Sequence, residues 1–160
     1  MRRIALLAVA LIFCCSGLGV AQSKPNLTGT WVLDLASSDL GGGPRPAGTN
    51  AKSVTLVIKQ TADMLTTERH VGDAKPEVAV QRLDGGESVN KTPSGQDVKT
   101  KAKWVGTSLV RQSVMEMKGG STTASEDVMS LSADGKTMTI DVTQQLPRGE
   151  VKRKLVYKKQ

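Results

Sequence analysis

The sequence predicts an all-β fold: an antiparallel up-and-down meander of about eight to nine strands closed into a barrel. Three observations predict it. Short segments of alternating apolar and polar residues recur along the chain, the period-two signature of half-buried strands. Gly, Asp, Asn and Pro separate them at close intervals, and strands joined by tight turns lie antiparallel and adjacent. No helical stripe of useful length is present, so helix is expected to be minimal. Closure into a barrel removes the edges that an open meander would expose.

The element order begins before the barrel. Residues 1–21 read as a signal peptide: cationic Met1-Arg2-Arg3, an apolar run from Ile4 to Cys15, then small Gly19 and Ala21 at −3 and −1 of a cut before Gln22. The apolar run is shorter than the roughly 20 residues a membrane span needs. Lipid attachment at Cys14 or Cys15 is less favoured, because Phe13 stands before the first and Cys14 before the second. The expected division is therefore 1–21 signal peptide and 22–160 β-barrel domain, exported to a periplasm or the extracellular space.

Cleavage would take away both cysteines and Phe13, the one phenylalanine, and lower the net charge from +7 to about +5. The remaining residues cannot form a disulfide framework, a Cys nucleophile or a Cys-rich zinc site. With His70 the lone histidine, a multi-His metal site is excluded as well. No G-x-S-x-G, G-x-G-x-x-G, P-loop or H-E-x-x-H motif occurs. No catalytic residue, metal or cofactor is expected. Trp31, Trp104 and Tyr157 are too few to make a stacking platform for nucleic acid.

Within the domain, the first predicted strand is Gly29 to Leu35, with Trp31, Leu33 and Leu35 on one face. Lys52 to Gln60 follows, with Val54, Leu56 and Ile58 inward, then Met64 to Val71 and Glu77 to Leu83. Asp97 to Val105 alternates most regularly: Val98, Ala102 and Trp104 face one way, Lys99, Lys101 and Lys103 the other. Ser108 to Lys118, Thr122 to Ser132, Thr137 to Gln144 and Glu150 to Lys158 complete the set. Asp134-Gly135 is a strong hairpin signal. The stretches Ser37 to Ala51 and Gly85 to Gln96, rich in Gly, Pro, Asn and Ser, are expected to be irregular loops.

The segment Asn26-Leu27-Thr28-Gly29-Thr30-Trp31-Val32-Leu33-Asp34 resembles the opening of lipocalin-like domains, which carry a G-x-W motif on the first strand and a large loop after it. Leu131 to Lys136 and Arg153 to Lys158 are also similar to small secreted bacterial proteins of this calycin type. The resemblance implies a barrel with a possible cavity for a small, often apolar molecule. It implies that Gly29 and Trp31 form a structural plug at one end. Two features depart from it: the disulfide of animal lipocalins cannot form here, and the aromatic lining of many ligand-binding members is missing.

Strand parity isolates one set of charged residues. Arg69 is in phase with Leu65 and Val71, and Arg82 with Val78 and Val80. Arg111 shares a face with Leu109 and Met115, and Arg153 with Val151, Leu155 and Tyr157. The strand lysines fall opposite the apolar residues. Guanidinium is weakly hydrated and tolerates partial burial better than ammonium. One reading makes Arg69, Arg82, Arg111 and Arg153 a ligand-binding cluster for an anionic head group. The other pairs them with internal acids such as Asp127. His70, in phase with Glu68 and Thr66, is expected at the surface. The methionines are expected to fill the core in place of aromatics.

The functional expectation is an exported, non-enzymatic binder or carrier of a small apolar or amphipathic molecule, anionic amphipaths included. The competing expectation is a structural or protein-interaction barrel with a filled core and no ligand. Neither nucleic acid nor a stable membrane span is expected as a partner.

Overall fold

The computed structural model describes residues 23–41, 53–117 and 119–160. The expected signal peptide, both cysteines and most of the loop expected over Ser37 to Ala51 lie outside the described residues. Ten strands follow in chain order: β1 (Gly29–Leu33), β2 (Val54–Gln60), β3 (Met64–Val71), β4 (Glu77–Arg82), β5 (Asp84–Lys91), β6 (Asp97–Val105), β7 (Ser108–Glu116), β8 (Thr122–Leu131), β9 (Thr137–Leu146) and β10 (Gly149–Lys159). They form one sheet in the order β4-β3-β2-β1-β10-β9-β8-β7-β6-β5, antiparallel throughout. The result is a nearly closed barrel, with no helix among the described residues.

The meander barrel is as expected, with ten strands where about eight to nine were counted. The extra strand is β5, which occupies most of the stretch expected to be an irregular loop. Gly85 and Gly86 do not make a turn there; they sit in a bulge where the β5–β6 register slips between Asp84 and Glu87. The true turn lies later, where Thr92 N donates to Gln96 O at 2.8 Å and Gly95 N to Thr92 O at 2.9 Å. Leu35 is also corrected. It lies beyond the end of β1, 42% exposed, because the Asp34 side chain accepts bonds from Ser37 and turns the chain.

β4 is inverted relative to its expected parity. Val78 and Val80 are exposed, while Glu77 and Ala79 point inward and Gln81 is buried. Register explains this. Leu65 pairs with Gln81, Thr67 with Ala79 and Arg69 with Glu77, and paired residues on antiparallel strands share a face. Because β3 turns Leu65, Thr67 and Arg69 inward, β4 must turn its odd-numbered residues inward too. The arrangement of β6 matches its expected faces: Thr100 and Ala102 are buried, and the three lysines are exposed.

The core fills one end of the barrel. Leu27, Trp31, Ile58, Leu65, Leu109, Met129 and Met138 are fully buried there. Trp31 Nε1 donates to Leu27 O at 2.9 Å, and Lys159 Nζ lies 5.2 Å from the ring centroid. Met129 and Met138 supply volume in this core that aromatics would otherwise provide. The Asp134-Gly135 hairpin closes beside this end. Gly135 takes a left-handed φ of 67° that a side chain would strain, and Asp134 Oδ1 accepts from Lys136 N at 3.0 Å.

β4 and β5 follow each other in the chain, joined through Leu83 alone, yet they stand at opposite ends of the paired order. Side chains bridge this seam. Asn90 Oδ1 accepts from Val80 N at 2.8 Å, and Asn90 Nδ2 donates to Val80 O at 3.0 Å. Arg82 N donates to Ser88 Oγ at 2.9 Å. An amide side chain here replaces the backbone partner that Val80 would have in a continuous ladder.

Candidate functional site

Beside the apolar core lies a cavity of about 230 Å³. Leu56, Met129, Ile140 and Leu155 supply much of its apolar wall. A belt of charged groups crosses it. Arg111 Nη2 lies 2.6 Å from Asp127 Oδ2, each side chain 16% exposed, and Arg69 Nη1 lies 3.3 Å from Glu77 Oε2. Both pairs are direct cross-strand partners, Arg111 with Asp127 on β7 and β8, Arg69 with Glu77 on β3 and β4. Strand pairing, more than side-chain reach, therefore builds the belt.

Two polar atoms of residues that line the cavity are left over. Arg111 Nε and Thr67 Oγ1 are buried, with no hydrogen-bond partner among the described residues. An unfilled donor of this kind costs about 1–3 kcal/mol. Tyr157 completes the belt. Burial pushes its phenol above the ordinary value of 10.0, while the charges of Arg69 and Arg111 pull the other way.

The four arginines singled out by parity divide. Arg69 and Arg111 line the cavity together. Arg153 is buried, 7% exposed, but stands apart from that lining. It occupies the same transverse row as Arg111, through Asp127 and Val142. Three inter-strand gaps, about 14 Å of wall, separate the two arginines. Arg153 Nη1 donates to Gln144 Oε1 at 2.8 Å. Arg82 is corrected outright: with β4 inverted it points to solvent, its side chain 56% exposed. There it forks onto Asp84, and this hydrogen bond is the main force holding the Asp84 carboxyl down at about 2.

Asp127 is the internal acid that parity suggested. Glu77, Thr67 and Tyr157 were not foreseen as cavity residues. The parity of β3, carried across the hairpin by antiparallel pairing, was the signal that could have found Glu77 and Thr67. His70 lies outside, with Nε2 3.0 Å from Glu68 Oε1 and both side chains partly exposed. No group of three or more metal-ligating side chains occurs among the described residues.

No protein-family model and no curated protein matches the chain. Solved structures do match, over nearly their whole length. Apo lipid-binding protein 8 of Caenorhabditis elegans is similar at a TM-score of 0.63 and 16% identity, covering 84% of this chain and 95% of that one. Zebrafish ileal bile acid-binding protein complexed with cholic acid is similar at 0.61 and 17%, covering 84% and 98%. The fatty-acid-binding protein of Drosophila melanogaster brain is similar at 0.57 and 24%, covering 83% and 99%. At these identities the likeness is one of fold alone, an antiparallel up-and-down β-barrel.

Proposed function

We propose that this calycin-type barrel binds a small amphipathic molecule with an anionic head, held at Arg69 and Arg111 with its apolar part on Leu56, Met129 and Ile140. The observation that carries the reading is the placing of two arginines, Arg69 and Arg111, on the wall of a largely apolar cavity. A carboxylate placed beside them would accept from a guanidinium, and hydrogen bonds to charged groups are the stronger class. Guanidinium offers five N–H donors, so Arg111 can keep Asp127 and still receive a ligand. The similar structures named above, those of bile-acid-, lipid- and fatty-acid-binding proteins, support a ligand of this general class. About 230 Å³ lies below the usual range of roughly 300–1,000 Å³ for small-molecule pockets, which favours a short chain over a long one. Export is part of the proposal, supported by the charged, apolar and small-residue layout of residues 1–21.

A second reading is a barrel without a small-molecule ligand. Its support is that each cavity arginine already faces a carboxylate. Decanoate titration by calorimetry separates the two. In the variant Arg111→Met with Asp127→Leu, both charges leave together, so no unpaired ion is stranded. The carrier reading expects decanoate to bind the native protein and to weaken by at least about ten-fold in the variant. Absence of binding, or binding indifferent to the pair, would favour the ligand-free barrel.

A further inference from the structure

The charged side chains lining the cavity are two cations, Arg69 and Arg111, and two anions, Glu77 and Asp127. Their charges cancel, yet the two ion pairs are not equivalent. Arg111 Nη2 and Asp127 Oδ2 lie 2.6 Å apart, both side chains 16% exposed. Arg69 Nη1 and Glu77 Oε2 lie 3.3 Å apart, at 23% and 39% exposure. Charged N–H···O bonds ordinarily measure about 2.7–2.9 Å. The first pair is short and mostly buried; the second is long and within reach of water.

Backbone placement separates the two acids in the same way. Asp127 lies within β8 between two paired strands, beside Arg111 of β7 and Val142 of β9. Glu77 is the first residue of β4, directly after Pro76, and β4 stands at one end of the paired order. It has Arg69 on one side and the seam on the other. The bridges across that seam reach Val80 and Arg82, further along the strand. A long, partly exposed side chain at this position can turn towards water without moving the backbone.

We propose that Glu77 is an internal competitor for the ligand's head group. Without ligand, its carboxylate holds Arg69 and keeps the guanidinium from standing unpaired on an apolar wall. A ligand carboxylate takes its place, Glu77 turns to water, and Arg111 keeps Asp127 while offering its remaining donors. One carboxylate replaces another at the same guanidinium, so the head group alone gains little. The tethered acid also acts at high effective concentration. Net affinity then comes from the apolar chain, because each buried methylene adds to the ligand's side only. Glu77 thereby sets specificity: it turns away small carboxylates such as acetate and admits those that bring a chain. This deepens the carrier reading above and rests on it.

The test measures hexanoate, decanoate and uncharged 1-decanol by calorimetry on the native protein and on Glu77→Gln, which keeps the side chain's size and removes its charge. Both acids should bind the variant about three- to five-fold tighter, the weight of a partly exposed ion pair. The factor should be the same for both, since the competitor opposes only the head. Decanol should bind the two proteins alike. In the native protein, saturating decanoate should move the carbon resonance of the Glu77 carboxyl, a readout that needs no variant. Acids that bind both proteins equally, decanol that tightens along with them, or a Glu77 resonance that stays in place at saturation overturns the proposal. If decanoate binds and depends on the Arg111–Asp127 pair but is indifferent to Glu77→Gln, only the competitor role fails. If neither acid binds either protein, the carrier reading fails and takes this inference with it.

Discussion

Tyr157, the one tyrosine of the chain, stands among Arg69, Arg111 and Asp127 on the cavity wall. Because its folded value is raised above 10.0, the neutral phenol is favoured by folding. Its contribution to stability is therefore fully present below pH 10.0 and is lost as pH rises through the folded value. An ultraviolet titration of the folded protein should place the phenol midpoint above that of the denatured chain. Asp127→Asn should bring the midpoint down, since the Asp127 charge is one of the forces raising it. An unchanged midpoint would mean that the phenol and the belt are not electrically coupled. At this scale the site was partly legible in the sequence. Arg111 and Asp127 sit on long, regular strands, where counting by twos keeps phase over the whole length. Arg82 and Glu77 sit on β4, where Val78 and Val80 look like a core face but are exposed. Alternation reports which residues share a face; it reports which face is inside only when the apolar set is buried.

The seam between β4 and β5 is an element held by side chains. Removing the amide in Asn90→Ala strips Val80 of both its partners across the seam. Amide exchange at Val80 should speed up, with neighbouring β3 amides little affected, and denaturant unfolding should show a loss of about 1–2 kcal/mol. Unaltered exchange at Val80 would show that the Asn90 bridge does not hold the seam closed. The same element shows why β5 escaped sequence reading. Its inward residues are Ser88 and Asn90, its outward ones include Glu87 and Val89, and two glycines stand at its start. Nothing there alternates in hydrophobicity, because the polar side of β5 faces the interior. By contrast β6 was legible to the residue, since exposed lysines and buried small or apolar residues alternate without a break.

On the scale of the molecule, closure depends on pairing the first strand with the last: Trp31 with Lys159 and Leu33 with Tyr157. Loop-closure entropy must be met before that contact forms, so folding is expected in milliseconds to seconds rather than microseconds, measurable by stopped-flow tryptophan fluorescence. Deleting residues 149–160 should abolish cooperative unfolding, because β1 and β9 both lose a partner and Leu155 and Tyr157 leave the cavity wall. The pairing of β1 with β10 also means that the strand list is in effect circular, and its present cut is one choice among several. Gln160 N already donates to Thr30 O at 2.9 Å. A permuted chain, opened at Leu83 and rejoined from Gln160 to the segment before β1, would list its strands as β5 through β10 and then β1 through β4. Every backbone-paired neighbour would then also be a neighbour in sequence. The barrel would become a single uninterrupted ribbon, fastened where its two ends meet by the side chains of Asn90 and Ser88.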